Sequence, residues 1–179
     1  MELNNIEKMQ YIQNKLPQKQ LHFFEMLRDY LQIPLYFFGS VQRMDYFQGY
    51  SDIDLCIFTD NTQATISQIQ YYLAIPAYKI KKFVWVINQT TIKGYKIMYK
   101  IKEEKFFCEM SIYAKHNREQ VLQEHYKKLN IPLYACYLLL ILKYFHYYWN
   151  ILDRVFYKRL KKWVLSYAIG LRDDLFFLQ

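Results

Sequence analysis

Residues 33–58 read IPLYFFGSVQRMDYFQGYSDIDLCIF. An apolar run, Ile33-Pro34-Leu35-Tyr36-Phe37-Phe38, enters Gly39-Ser40, and Gly49-Tyr50-Ser51 then turns the chain into Asp52-Ile53-Asp54-Leu55-Cys56-Ile57-Phe58, which stops at Thr59-Asp60-Asn61. Aromatic and branched residues bounded by Gly, Ser and Asn predict a strand at each end. A short helix over 40–47 fits between them, giving a strand–helix–strand unit. Residues two apart on a strand point to one face, so Asp52 and Asp54 stand side by side. Two adjacent carboxylates repel each other, and Mg²⁺ suits carboxylate oxygens combined with nucleotide phosphates. A helix beginning at Gly39-Ser40 would turn free backbone N–H groups toward such phosphates. Taken alone, Asp-x-Asp is explained as well by surface ion pairs or a turn. The Gly-Ser element in front of it points to nucleotide chemistry.

Outward from this unit, residues 2–15 and 18–31 have helical spacing, with a break at Leu16-Pro17, and 63–73 reads as a further helix. Segments near 83–88, 94–101 and 105–112 favour strands through their Val, Ile, Tyr and Phe content, with Gly94 as a turn between two of them. Periodicity becomes helical over 117–129, Asn130-Ile131-Pro132 marks a boundary, and 133–169 predicts one long or two consecutive helices. One acid, Glu109, sits inside the apolar strand Phe106-Phe107-Cys108-Glu109-Met110-Ser111-Ile112, where it could complete a cation site from a neighbouring strand.

With these residues in place the chain resembles the polymerase-beta-like nucleotidyltransferase superfamily. The pattern is an apolar strand, Gly-Ser or Gly-Gly, a gap of about a dozen residues, Asp-x-Asp in a strand and a later third acid; here eleven residues separate Ser40 from Asp52. The resemblance covers residues 33–112. It implies an α+β fold with a mixed sheet, surrounding helices and a C-terminal helical annex. It further implies that Gly39 and Ser40 position a triphosphate and that Asp52 and Asp54 coordinate two Mg²⁺ ions, or Mn²⁺. The third acidic role is carried onto Glu109, with Asp60, Glu103 and Glu104 as alternatives. Arg43, three residues after Ser40, could face the phosphates, as could Lys79, Lys81, Lys82 and Lys93. Tyr46 or Tyr50 could flank the nucleotide. The expected reaction transfers a nucleoside monophosphate from a nucleoside triphosphate to an acceptor hydroxyl. A polynucleotide 3′ end, RNA among the options, is the favoured acceptor; a small molecule or a protein is the alternative, as is an inactive nucleic-acid-binding or assembly module.

Composition bounds these readings. With 179 residues there is room for one core and an appendage, not for two large domains. The formal charge of +8 is sectored: residues 1–78 balance at −3, 79–105 at +6, 106–124 at −1 and 125–179 at +6. An anionic partner such as RNA or DNA is compatible with the two basic sectors. The 19 Tyr, 13 Phe and 3 Trp could supply stacking surfaces, although most rings are expected in the core. Cys56, Cys108 and Cys136 form no CxxC pair, and the histidines form no HExxH pattern, which disfavours disulfide and zinc chemistry. MELNNIEKMQ lacks an apolar signal core, and the apolar run in 131–149 is cut by Lys143 and His146. An intracellular, cytoplasmic chain without integral membrane association is therefore expected. The division expected is a catalytic core over 1–115 and a helical annex over 116–179. The annex helices could bind nucleic acid or a protein partner, or mediate self-association.

Overall fold

Strand β2, Ile53–Thr59, is the spine of the molecule. In the computed structural model, which describes residues 7–170 and the backbone of 177–178, it pairs antiparallel with β1 (Leu35–Phe38) and parallel with β5 (Phe106–Ala114). Strands β3 (Ile80–Ile87) and β4 (Thr90–Ile101) and the two-residue β6 (Phe177–Leu178) complete a mixed sheet of order β1-β2-β5-β4-β3-β6. Pairing on both sides makes β2 an interior strand. Its LCIF run is correspondingly apolar on both faces, as interior strands require.

Alternation along the strands separates two cores. Ile53, Leu55 and Ile57 of β2, with Cys108, Met110 and Ile112 of β5, face helices α1 (Gln18–Leu31) and α2 (Thr62–Leu73). Phe24, Leu27 and Leu31 form the buried stripe of α1, and Ile66 and Ile69 that of α2. On the opposite face Cys56, Phe58, Phe83, Trp85 and Tyr113 pack under Val121 and Leu122 of α3 (Arg118–Lys127). Asp54 and Glu109 share that second face, beyond the part packed under Val121 and Leu122.

C-terminally, α4 (Leu133–Lys143) runs into a π-helical turn at Tyr144–Tyr148 and, after a break, α5 (Arg154–Ile169) returns beside it. Ala135, Cys136, Leu139 and Val164 form a third small core between them. Asp153 starts α5 by accepting from Val155 N at 2.7 Å and Phe156 N at 2.9 Å, the preferred chemistry of a helix N-cap. His146 fixes the break by donating from Nδ1 to the Leu152 carbonyl at 2.7 Å. Among the described residues no helix is long and apolar enough to cross a membrane.

Three local expectations change. Residues 1–6 of the expected helix over 2–15 lie outside the described residues, while residues 9–17 are turns and coil. Their polar groups are used across the molecule instead: Phe37 N donates to Met9 O at 2.6 Å, and the Asn14 amide donates to Val41 O at 2.7 Å and Arg43 O at 2.8 Å. The expected helix over 40–47 is only a 3₁₀ turn, Gly39–Gln42. Finally, Gly94 is not a turn but lies in mid-strand, where a Cβ would stand 2.6 Å from the Phe83 ring and 3.1 Å from Tyr113. The hairpin instead reverses at Asn88 and Gln89, both at positive φ, as a tight two-residue connection requires.

The loop after the 3₁₀ turn is held by buried charge. Arg43 grips Asp45 through Nε at 2.7 Å and Nη2 at 3.1 Å. Lys143, from the end of α4, reaches Asp45 Oδ2 at 3.1 Å and Ser51 Oγ at 3.1 Å and donates to the Asp45 carbonyl. Burial by itself would raise the Asp45 carboxyl, but the hydrogen bond and charge of Arg43, with Lys143, hold it below the ordinary carboxylate range. Burial lowers the Lys143 ammonium to about 8, partly opposed by Asp45. Asp45→Asn leaves these cations without their counter-charge and is expected to cost about 3–5 kcal/mol in urea denaturation. Because the folded carboxyl titrates below its unfolded value, its contribution is complete above the ordinary carboxylate range and is lost as pH falls through the folded value. Acid titration of stability checks this, with Asp45→Asn lacking that component.

Candidate active site

The candidate site is built from the strand alternation that sends Asp54 and Glu109 to one face. Asp54 is directly opposite Glu109 in the β2–β5 ladder, and on its other side opposite Phe38, the last residue of β1. Asp52 lies in the coil just before β2, outside the strand expected to begin with it, and is exposed where it lines the same cavity, whereas Asp54 is half-buried. Gly39 follows Phe38 with φ +72°, and a Cβ there would fall 2.2 Å from Asp54 Oδ2. A side chain at 39 is therefore excluded by backbone conformation and by the close approach of the carboxylate. Ser40 is buried directly behind it.

A cavity of about 440 Å³ opens over this row. Gly39, Ser40, Asp52, Asp54 and Glu109 line one side, and Lys96, Lys128, Lys143, Arg154, Lys158 and Lys161 bring positive charge to it. Arg154, Lys158 and Lys161 lie three or four residues apart, so one side of α5 faces the carboxylates. Tyr147 and Tyr157 add aromatic surface, with Tyr157 stacked on His146 at 4.4 Å between ring centroids.

The acids perturb one another. Burial in the recess raises the Asp54 carboxyl to about 7, with Glu109 and Asp52 adding to the rise and Lys161 and Lys96 opposing it. Although Asp52 is exposed, partial loss of water at the cavity wall and then Glu109 also raise its carboxyl, against Lys100, Lys161 and Arg154. Such crowding is the electrostatic state that a bound divalent cation relieves. The donor set, three carboxylates beside a turn with no room for a side chain, fits Mg²⁺ in its chemistry. The side chains are not gathered into a ready cage: among the described residues no group of three or more His, Cys, Asp or Glu is placed to hold a metal ion. Glu109 Oε1 instead meets Lys96 Nζ at 2.7 Å.

Arg43 also lines the cavity, but its Nε and Nη2 are on Asp45 and its Nη1 donates to Lys128 O at 3.3 Å. Asp60 pairs with Lys115 at 3.0 Å and Glu104 with Lys19 at 2.5 Å, and neither lines the cavity. Lys79, Lys81, Lys82 and Lys93 do not line it either. Tyr50 packs on Phe47 and Tyr147 outside the lining, and Tyr46 against the first core. Sequence reasoning missed Lys96, Lys128, Lys143, Tyr147 and Tyr157 as cavity residues. The one available signal was the spacing of Arg154, Lys158 and Lys161 on a helical side, which did not reveal what that side faces.

A family model for the nucleotidyltransferase domain matches residues 18–128. No curated protein matches the chain. Among solved structures, the chain is similar to the Cid1 poly(U) polymerase bound to MgGTP, at 18% identity and a TM-score of 0.44, with 74% of this chain and 44% of that one covered. It is similar to a cytoplasmic RNA terminal U-transferase, at 18% identity and a TM-score of 0.43, with 72% and 40% covered. A structure of the non-canonical poly(A) polymerase complex GLD-2–GLD-3 is similar at 14% identity and a TM-score of 0.43, with 85% and 51% covered. The chain thus spans about half or less of these structures. The family match takes in more than half of the 179 residues, including Gly39, Ser40, Asp52, Asp54 and Glu109, and the chain belongs to the nucleotidyltransferase domain family.

Proposed function

We propose that this chain transfers a nucleoside monophosphate from a nucleoside triphosphate to an acceptor hydroxyl, with a polynucleotide 3′ end as the favoured acceptor. The observation that carries this reading is the cavity itself, in which a row of acids beside the Gly39-Ser40 turn faces a cationic wall. Asp52, Asp54 and Glu109 would hold Mg²⁺, or Mn²⁺, which when bound neutralises the carboxylates and polarises phosphoryl oxygens. Gly39, whose bare face admits the Asp54 carboxylate, and Ser40 position the triphosphate from the turn beside the acids. Lys158 and Lys161 compensate charge on the triphosphate. Arg43 holds the loop through Asp45 rather than serving as a free phosphate ligand. The acceptor oxygen forms its bond to the α-phosphorus, the bond from that phosphorus to the bridging oxygen breaks, and pyrophosphate leaves. The hydroxyl proton passes to Glu109. Residues 1–115 act as the catalytic core and 116–179 as the annex that walls the cavity.

Support for a polynucleotide acceptor comes from outside the cavity, where Arg159 is exposed on α5 near Phe156 and Trp163. Positive charge beside exposed rings suits a single strand, whose phosphates and bases need both. A second reading, an interaction module, is favoured by the exposed outer side of α4, which shows Tyr134, Tyr137, Leu138 and Ile141. Protein partners or self-association would use that side.

Labelled ATP, CTP, GTP and UTP incubated with Mg²⁺ and RNA, DNA, protein or small alcohols, followed by separation of the products, tests the reaction and identifies its acceptor. Asp52→Asn and Asp54→Asn are each expected to keep the wild-type circular dichroism spectrum and lose transfer by a factor on the order of 10² or more. Full transfer in either variant refutes the site. Lys161→Gln is expected to weaken binding of a nonhydrolysable nucleotide about tenfold, measured by fluorescence titration, because it removes a charged hydrogen-bond donor from the phosphates.

A further inference from the structure

Lys96 and Glu109 stand on the antiparallel pair β4–β5, where Lys96 is opposite Ser111 and Glu109 opposite Met98. This register places the two side chains diagonally on one sheet face, within reach of each other. The ammonium meets Glu109 Oε1 at 2.7 Å, and the side chains are 25% and 21% exposed. On the other side of Glu109, β2 sets Asp54 directly opposite. Across three strands the face therefore carries Asp54, Glu109 and Lys96 in sequence, two acids followed by a cation tethered to the sheet.

A lysine so placed performs part of a metal ion's electrostatic task. It is a compact point charge on a flexible stem, able to sit on a carboxylate and also to leave it. While it sits there, a divalent ion brought to the same oxygen meets a positive charge a few ångströms away in a recess poorly screened by water. We propose that Lys96 is a built-in competitor for the third carboxylate. A divalent ion engages Glu109 only by displacing the ammonium, and Lys96 thereby sets the affinity of the site for metal. The inference rests on the reading of Asp52, Asp54 and Glu109 as the metal-holding acids. It assigns Lys96 as a positioning residue that acts through Glu109.

The test is Mn²⁺ binding to the full chain without nucleotide, followed by the electron paramagnetic resonance signal of free Mn²⁺. Wild type, Lys96→Gln, Lys96→Met, Lys96→Arg and Asp54→Asn are compared, with Lys8→Gln as a control for loss of one exposed positive charge. Lys96→Gln and Lys96→Met are expected to bind Mn²⁺ about tenfold more tightly than wild type. Lys96→Arg and Lys8→Gln are expected to stay near the wild-type affinity, and Asp54→Asn to abolish binding. Two neutral variants are used so that one that fails to fold, as judged by circular dichroism, leaves the other to decide. Unchanged or weaker binding in the folded neutral variants, with binding still lost in Asp54→Asn, overturns the role of Lys96 and leaves the carboxylate site standing. Equal tightening in Lys8→Gln also overturns it, since general charge would then be the cause. Mn²⁺ binding indifferent to Asp54→Asn, or absent from every variant, overturns the carboxylate reading and this inference with it.

Discussion

Asp45 has no exposed surface, and its charge is tolerable there only because Arg43 and Lys143 close on it from two directions. A buried carboxylate without such partners would take up a proton or unfold its surroundings. Arg43 belongs to the loop that leaves Gly39 and Ser40, whereas Lys143 is the last residue of α4. The same ammonium also reaches Ser51, immediately before Asp52. One set of ion pairs thus ties the loop after the Gly39-Ser40 turn, the entrance of β2 and the C-terminal helices together. The cavity has two walls because this junction holds them apart at a fixed separation. Hydrophobic packing alone would not select this arrangement, since the core between α4 and α5 is small and apolar contact is not directional.

That junction lets opposite charges share a confined volume without collapsing onto one another. The acids come from rigid neighbouring strands, while Arg154, Lys158 and Lys161 come from a helix in a different layer. Strand pairing therefore fixes the spacing among carboxylates, and helix docking fixes their distance from the cations. Raised acid pKa values accompany this arrangement because the recess withholds water and the acids repel each other.

Much of the sheet is legible in local patterning. The helix over Gln18–Leu31 and the strand entering at Leu35 follow from periodicity and from Pro17 and Pro34, and of Asp-x-Asp the second acid, Asp54, falls on an interior strand with flanking Leu-Cys-Ile-Phe, while Asp52 stands in the coil just before that strand begins at Ile53. Errors occur where long-range contact overrides local preference. Residues 9–17 give up helical hydrogen bonds to satisfy Val41, Arg43 and Phe37. Gly94 has the local character of a turn, yet its position is required by the Phe83 and Tyr113 rings packed over it. The helix expected after Ser40 shortens to a 3₁₀ turn where Gln42 donates to Tyr11 O and Phe37 O and Arg43 turns to Asp45.

By itself the sequence determined the local chemistry: a glycine turn, two carboxylates two residues apart at the start of a strand, and a third acid inside an apolar strand. Period and spacing within a few residues carry that information, because a strand's alternation is set by its own backbone. Only the tertiary structure decided which charges meet. Lys96, Lys128, Lys143, Arg154, Lys158 and Lys161 are scattered over 66 positions of sequence and enter one cavity through the order of the strands and the return of α5. Their common position depends on docking between layers, an outcome of the whole core rather than of any segment. The same reason explains why Arg43, three residues from Ser40, grips Asp45 although its sequence position suggests phosphate: a buried carboxylate two residues along the chain is a stronger local demand than a ligand at the cavity mouth.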